Sequence, residues 1–152
     1  LDLVAGRVPL LIEVKDQDGG MGANVGTLER AAVTDLAGYR GPVALMSFNP
    51  HSVAALADLA PDLPRGLTTD GYDAEGWPTL SASRRAELRE IPDYDRTGAS
   101  FISHHWRDLA RPRVAELAEA GAEVLCWTIR SPEAEAEARQ IARNITFEGY
   151  LA

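Results

Sequence analysis

The stretch "VPLLIEVKDQD", residues 8–18, decides the fold class, because it joins an apolar segment to two charges at its far end. Five of its first seven residues are apolar, which is typical of a parallel strand covered on both faces. Side chains alternate along a strand, so Glu13 and Lys15 share one face, whereas Ile12 and Val14 share the other. The stretch therefore predicts a buried strand whose second face becomes polar at the carboxyl end.

The alternation of strand and helix continues along the chain. Further strands are predicted over residues 42–48, 63–69, 99–106 and 122–129, and a short terminal strand or tail over residues 144–152. Helices are predicted within residues 23–41, 49–61, 81–91, 111–121 and 131–143. This order indicates one parallel α/β domain over residues 1–152, either a doubly wound sheet or a (β/α) barrel. In both folds the chemistry lies at the carboxyl ends of the strands, where Glu13 and Lys15 stand.

The composition excludes several classes of partner and location. The 152 residues have a formal net charge of −8, which argues against a nucleic acid or an anionic membrane surface as partner. No apolar run approaches the roughly 18 residues of a membrane span. The single cysteine excludes an internal disulfide, and no leader peptide is visible. We expect a cytoplasmic protein, although the chain begins at Leu1 rather than at a methionine.

The charged pair at the end of the first strand has three interpretations. A carboxylate such as Glu13 can bind a hard cation, and an ammonium such as Lys15 can bind a phosphate oxygen and stabilise developing charge. The pair can instead be a solvated, purely structural ion pair. Lys15 can also be the Schiff-base nucleophile of a barrel lyase. The neighbouring carboxylate weakens this last interpretation, because it favours the protonated, non-nucleophilic amine.

Three segments resemble the glycerophosphodiester phosphodiesterase family: "PLLIEVK", "VALMSFNPHSVAALADLAPDLPRGL" and "AGAEVLCWTI". The family's I-E-x-K motif is matched by residues 12–15, its S-F motif by residues 47–48 and its W-T motif by residues 127–128. The resemblance implies a (β/α)₈ TIM-barrel enzyme. Such enzymes hydrolyse glycerophosphodiesters to an alcohol and glycerol 3-phosphate with a divalent metal, Ca²⁺ or Mg²⁺.

Roles for individual residues follow from the resemblance. Glu13 is expected to bind the metal, Lys15 to contact the substrate phosphate as a catalytic group, and Trp127 to form a wall of the glycerol pocket. Ser47 is expected to point the same way as Lys15, by its parity in the second strand, and either to bind substrate or to be a satisfied small residue. Arg130 stands where the family often has an asparagine.

The histidine pair in "SHHW", residues 103–106, lies near the end of the fourth strand. Because neighbouring side chains point to opposite faces, only one of His104 and His105 can face the mouth of a barrel. That histidine can be an acid or base, or it can pack and form hydrogen bonds like many strand-end histidines. Cys126 alternates with Trp127 and is expected to be a small buried hydrophobe facing the helices.

The resemblance breaks at both ends of the chain, and at the second end residues 144–152 replace the family's usual aspartate-containing final strand motif. The family's His-Arg pair, Glu-x-Asp pair and general-acid histidine belong to two earlier strands, and none of them occurs before Leu11. We therefore expect an incomplete barrel without the first two βα units, inactive by itself and prone to self-association through open strand edges. The alternatives are a non-catalytic phosphate-binding or assembly module on the same fold, and the Schiff-base lyase.

Overall fold

The computed structural model describes residues 1–152 and contains six strands and five helices. The strands are β1 (Leu10–Glu13), β2 (Val43–Ser47), β3 (Arg65–Thr69), β4 (Phe101–His105), β5 (Glu123–Ile129) and β6 (Asn144–Phe147). The helices are α1 (Thr27–Leu36), α2 (Pro50–Leu59), α3 (Ala82–Arg89), α4 (Pro112–Glu119) and α5 (Pro132–Ala138), and a 3₁₀ turn spans Trp106–Asp108.

The strands form a sheet in chain order, β1 to β6, and the recorded strand pairs are parallel. Consecutive parallel strands joined by helices are the repeating unit of a (β/α) barrel, and a closed barrel of this type needs eight strands. The predicted parallel α/β fold of the TIM-barrel type is confirmed, with six of those eight strands in this chain.

The chain divides into two compact units. The first contains Leu1–Leu67 and Asp93–Ala99, and the second contains Thr68–Pro92 and Ser100–Ala152. The boundary falls inside β3, so the chain passes from one unit to the other within a strand. The expectation of a single domain over residues 1–152 stays a prediction.

The core of the first unit lies between its strands and its two helices. Val14 packs in one buried cluster with Leu45 of β2, Leu36 of α1 and Leu56 of α2. Such burial stabilises the fold by about 1.5–3 kcal/mol for each large apolar side chain. Ile12 pairs with Leu45 and joins this cluster, so the alternate residues of β1 face away from the helices.

Helix ends follow the local sequence closely in some places and not in others. Asn49 caps α2, since its side chain accepts a hydrogen bond from the backbone N–H of His51, and Pro50 occupies the first helical position as predicted. Helix α5 is shorter than the predicted 131–143, because the chain leaves the helix after Ala138. Arg143 N already donates to Val124 O at 2.8 Å, which begins the pairing of β6 with β5.

In the second unit, the two faces of β4 and β5 differ in character. His104 pairs with Cys126, and both side chains are fully buried. His105 pairs with Trp127 on the opposite face, where both side chains are partly exposed. The prediction that Cys126 is a small buried residue alternating with Trp127 is confirmed.

None of the five helices has the length and apolar character that crossing a membrane requires.

Candidate active site

The end of β1 brings Glu13 and Lys15 together. Lys15 Nζ lies 2.9 Å from Glu13 Oε1, with the side chains 72% and 20% exposed respectively. The two side chains therefore lie on one side of the strand, as the alternation predicts. The contact is an ion pair without the angles of a hydrogen bond, so this buried carboxylate oxygen accepts no hydrogen bond from the chain. The Lys15 ammonium is the cation that lies next to this oxygen.

Ser47 holds two backbone segments together. Its hydroxyl donates to Val14 O at 2.6 Å and accepts from Asn49 N at 3.1 Å. The register pairs Glu13 with Met46, which puts Ser47 level with Val14 on the helix-facing side. The expected orientation of Ser47 toward Lys15 is therefore wrong, because the register between β1 and β2 reverses the assumed face. Its substrate-binding role stays a prediction that no observation supports.

A second contact holds the loop that follows β1. The Asn49 side-chain amide donates to Asp16 Oδ1 at 2.7 Å and to Gly22 O at 2.8 Å. Asp16 Oδ2 accepts from Met21 N at 3.1 Å. These bonds connect the residues after Lys15 to the start of α2, so the segment that presents the charged pair has a defined path.

The fit of a divalent cation can be tested on these side chains. Glu13 supplies one hard oxygen ligand, and its partly buried carboxylate has an oxygen that accepts no hydrogen bond. Ca²⁺ and Mg²⁺ require about six or more oxygens in total. No group of three or more His, Cys, Asp and Glu side chains in the chain is arranged to hold a metal ion. Glu13 can therefore supply one ligand of such a cation site, but the residues of this chain do not supply the complete set.

Trp127 lies at the carboxyl end of β5 in the second unit. Its indole Nε1 donates to Ser103 O at 3.0 Å and to Thr69 O at 3.2 Å. The indole ring lies 5.0 Å from the His105 ring, centroid to centroid, with the planes tilted by 44°. Two carbonyl acceptors and one aromatic neighbour leave the indole little freedom to rotate. Trp127 is thus a held side chain beside a histidine.

Asp70 is the residue that sequence reasoning missed. It follows the last residue of β3, and its Oδ1 lies 3.5 Å from His105 Nδ1, with side chains 15% and 32% exposed. Asp70 also accepts hydrogen bonds from Gly71 N at 2.7 Å and from Trp77 Nε1 at 2.8 Å. The only sequence signal for Asp70 is its position directly after a predicted strand, at the start of a segment that the sequence predicts to be a loop.

His104 has both ring nitrogens engaged inside the protein. Nδ1 lies 2.8 Å from Thr69 Oγ1, and Nε2 lies 3.3 Å from Asp108 Oδ2. Burial lowers the pKa of His104 from its ordinary value, outweighing the opposite effect of Asp108. His104 is therefore a structural residue, and His105 is the histidine of the pair that faces the Trp127 side.

A pocket opens beside Trp127 at this end of the second unit. His105, Thr128, Arg130 and Ser131 line it together with Trp127. Arg130 is neutralised by Glu148, since Arg130 Nε donates to Glu148 Oε1 at 2.6 Å. The pocket thus has an aromatic wall, a histidine, a paired arginine and a second arginine, Arg107, whose guanidinium lies over the Trp106 ring.

The sequence profile of the glycerophosphoryl diester phosphodiesterase family matches residues 9–146. No curated protein sequence matches the chain.

Several solved structures are similar to the chain. A protein from Silicibacter pomeroyi assigned as a glycerophosphoryl diester phosphodiesterase has a TM-score of 0.73 at 24% identity, over 96% of this chain and 50% of that one. A phosphodiesterase from Oleispira antarctica, in complex with the product sn-glycerol-3-phosphate, has a TM-score of 0.58 at 20% identity, over 79% and 46%. A glycerophosphodiester phosphodiesterase from Parabacteroides distasonis has a TM-score of 0.58 at 18% identity, over 91% and 52%. These likenesses show the fold, and the chain spans about half the length of each.

Proposed function

We propose that the protein containing this chain, which belongs to the glycerophosphoryl diester phosphodiesterase family, hydrolyses glycerophosphodiesters to an alcohol and glycerol 3-phosphate. The observation that best supports the proposal is the Glu13–Lys15 pair at the carboxyl end of β1. The pair matches the family's I-E-x-K motif, and it lies where barrel enzymes place their chemistry. Its cytoplasmic location stays a prediction.

Lys15 is proposed to contact the phosphate as a catalytic group. Its ammonium is exposed and next to a single carboxylate, so it can also reach a non-bridging phosphate oxygen. A cation placed there stabilises the negative charge that grows as water attacks phosphorus and the alcohol leaves. The same ammonium orients the diester, because it binds the phosphate before reaction.

Glu13 is proposed to supply one ligand to a divalent cation, Ca²⁺ or Mg²⁺. When bound, such a cation polarises the phosphoryl oxygens as a Lewis acid. Glu13 also holds the Lys15 ammonium in place, which is a role that needs no metal. The remaining ligands are not among the side chains that this chain brings together.

Trp127 is proposed to form a wall of the glycerol pocket. Its indole N–H is used by two backbone carbonyls, so the ring offers a held apolar surface rather than a hydrogen bond. The C–H groups of a three-carbon polyol can pack on such a surface.

One alternative is favoured by a specific observation. Since the chain holds no complete cation site, a non-catalytic phosphate-binding module on the same fold remains the second candidate. The Schiff-base lyase is less favoured, because Glu13 lies 2.9 Å from the lysine nitrogen and stabilises its charged form.

The test is an assay of the complete natural protein with glycerophosphocholine, following release of glycerol 3-phosphate. We expect turnover that stops when the divalent cations are chelated and returns when Mg²⁺ or Ca²⁺ is added. Phosphate binding without any turnover would support the binding module instead. Trapping of Lys15 by borohydride in the presence of a carbonyl substrate would support the lyase.

We further propose that the 152 residues by themselves lack this activity and self-associate. One carboxylate gives a hard cation too few ligands. Strands β1 and β6 end the strand order, so each has an edge available for pairing with another copy. The purified 152-residue chain should elute as a dimer or larger species and release no glycerol 3-phosphate, and a fully active monomer would contradict both expectations.

A further inference from the structure

We propose that Asp70 and His105 act as a pair that recognises the glycerol group, with His105 Nε2 hydrogen-bonded to a glycerol hydroxyl and Asp70 positioning the imidazole. This inference rests on the proposed function and deepens it. It assigns the specificity for glycerol to two residues that lie at the carboxyl ends of β3 and β4.

Asp70 is held in a fixed position. Its carboxylate accepts hydrogen bonds from the backbone of Gly71 and from the indole of Trp77, so both oxygens are held. Asp70 Oδ1 then faces His105 Nδ1 at 3.5 Å. Such contacts are often long without ligand and tighten when substrate binds. A carboxylate held in this way selects the tautomer with the proton on Nδ1.

The second ring nitrogen of His105, Nε2, is the one that can bind a ligand. His105 Nε2 has no hydrogen-bond or ion-pair partner within the chain, although the imidazole borders the pocket beside Trp127. The neighbouring His104 differs in this respect, because Thr69 and Asp108 contact its two ring nitrogens in the interior. One histidine of the pair is saturated, and the other has one nitrogen available to a ligand.

The groups around the imidazole indicate the chemical class of that ligand. Of the two arginines that line this pocket, Arg130 is paired with Glu148 and Arg107 lies over the Trp106 ring, 4.9 Å from its centroid. The charged group next to the imidazole is the Asp70 carboxylate, which disfavours a phosphate anion at this position. The Trp127 ring, 5.0 Å from the imidazole, provides the flat apolar surface on which polyol C–H groups pack. A neutral hydroxylated group satisfies both surfaces. Within a glycerophosphodiester, that group is the glycerol.

The test compares two substrates in the complete natural protein. Glycerophosphocholine carries the glycerol hydroxyls, and propylphosphocholine is the same diester without them. We expect His105→Asn to lower kcat/KM for glycerophosphocholine by about tenfold or more, the scale of one hydrogen bond to a substrate hydroxyl. In the same variant, kcat/KM for propylphosphocholine should change by less than about twofold. His105→Gln is the second variant, for use if the first is unstable, and His51→Asn on α2 is the matched control.

Asp70→Asn tests the positioning role. It should raise KM for glycerophosphocholine more than it lowers kcat, leave propylphosphocholine unaffected, and add little when combined with His105→Asn. Equal losses of kcat/KM for the two substrates would show a merely structural role and overturn the inference. An active His105→Asn variant with an unchanged ratio of the two kcat/KM values would overturn it as well. If the parent protein hydrolyses neither diester, the proposed function itself fails, and the inference fails with it.

Discussion

Lys15 Nζ and Glu13 Oε1 lie 2.9 Å apart at the end of β1, on the face opposite the buried cluster around Val14. The alternation of a strand makes them neighbours, and the parallel sheet makes their location the carboxyl end, where substrates bind in barrel enzymes. A mostly exposed ammonium beside a partly buried carboxylate is an arrangement suited to a phosphate and a cation. The first prediction follows from this pair.

Lys15→Ala should reduce turnover of glycerophosphocholine by the complete protein by about a hundredfold or more, because one charge-stabilising donor is lost. Lys15→Arg should restore part of the activity, since the positive charge remains. The control is Arg84→Ala, which removes the cation of an ion pair of the same 2.9 Å length on α3. Near-parent turnover in Lys15→Ala would show that the phosphate binds elsewhere.

Trp127→Phe should destabilise the protein, because the indole N–H that serves Thr69 O and Ser103 O is removed and the smaller phenyl ring packs less surface. We expect the free energy of unfolding to fall by about 1–3 kcal/mol, the scale of losing one hydrogen bond and part of a packed aromatic surface. Urea denaturation measures the change. Trp106→Phe is the control, because the structure shows no hydrogen bond from that indole, and a comparable loss there would remove the argument.

The buried imidazole of His104 should make the stability of the protein depend on pH. Burial lowers the pKa of His104 from 6.5, so the unfolded chain binds a proton more readily than the folded protein. The free energy of unfolding should therefore decrease as the pH falls below about 6.5 and the imidazole of the unfolded chain becomes charged. Chemical denaturation at pH 7.5 and pH 5.5 measures the slope.

His104→Gln should remove most of this dependence, whereas His51→Gln should keep it. A parent protein equally stable at both pH values would contradict the assignment of His104 as a buried neutral residue.

Cys126 should be unreactive in the folded protein. Burial raises the pKa of its thiol to about 11, and the residue is fully buried, so little thiolate exists and none is accessible at pH 8. A disulfide reagent that releases a coloured thiol should label the unfolded chain at once and the folded protein only as fast as it opens. Complete labelling of folded protein within the mixing time would contradict this.

The strand with Glu13 and Lys15 could be predicted because its signal is local. A run of apolar residues with period two determines which side chains share a face, and no information about neighbouring strands is needed. The α2 start was equally local, since Asn49 and Pro50 are adjacent in the sequence. Local chemistry of this kind gave both the fold class and the charged pair.

The errors and omissions are all long-range. The face of Ser47 depends on the register between β1 and β2, and a difference of one residue reverses it. Asp70 follows β3 and His105 ends β4, with helix α3 between them in the sequence, so the two side chains meet only through folding. The early end of α5 is decided by the pairing of Arg143 with Val124, which no helix propensity of residues 131–143 reveals.

The most direct test of the central claim is Glu13→Gln in the complete natural protein, with metal affinity and turnover measured on the same samples. A neutral amide is a weaker ligand for a hard cation than a carboxylate. We predict that the affinity for Mg²⁺ or Ca²⁺, measured by titration calorimetry, falls by at least about tenfold. Changing a residue that only hydrogen-bonds to a metal ligand already costs about that factor in affinity. Turnover of glycerophosphocholine should fall with it, whereas Glu87→Gln, which alters the Arg84 pair on α3, should change neither. Parent-like affinity and turnover in Glu13→Gln would contradict the account.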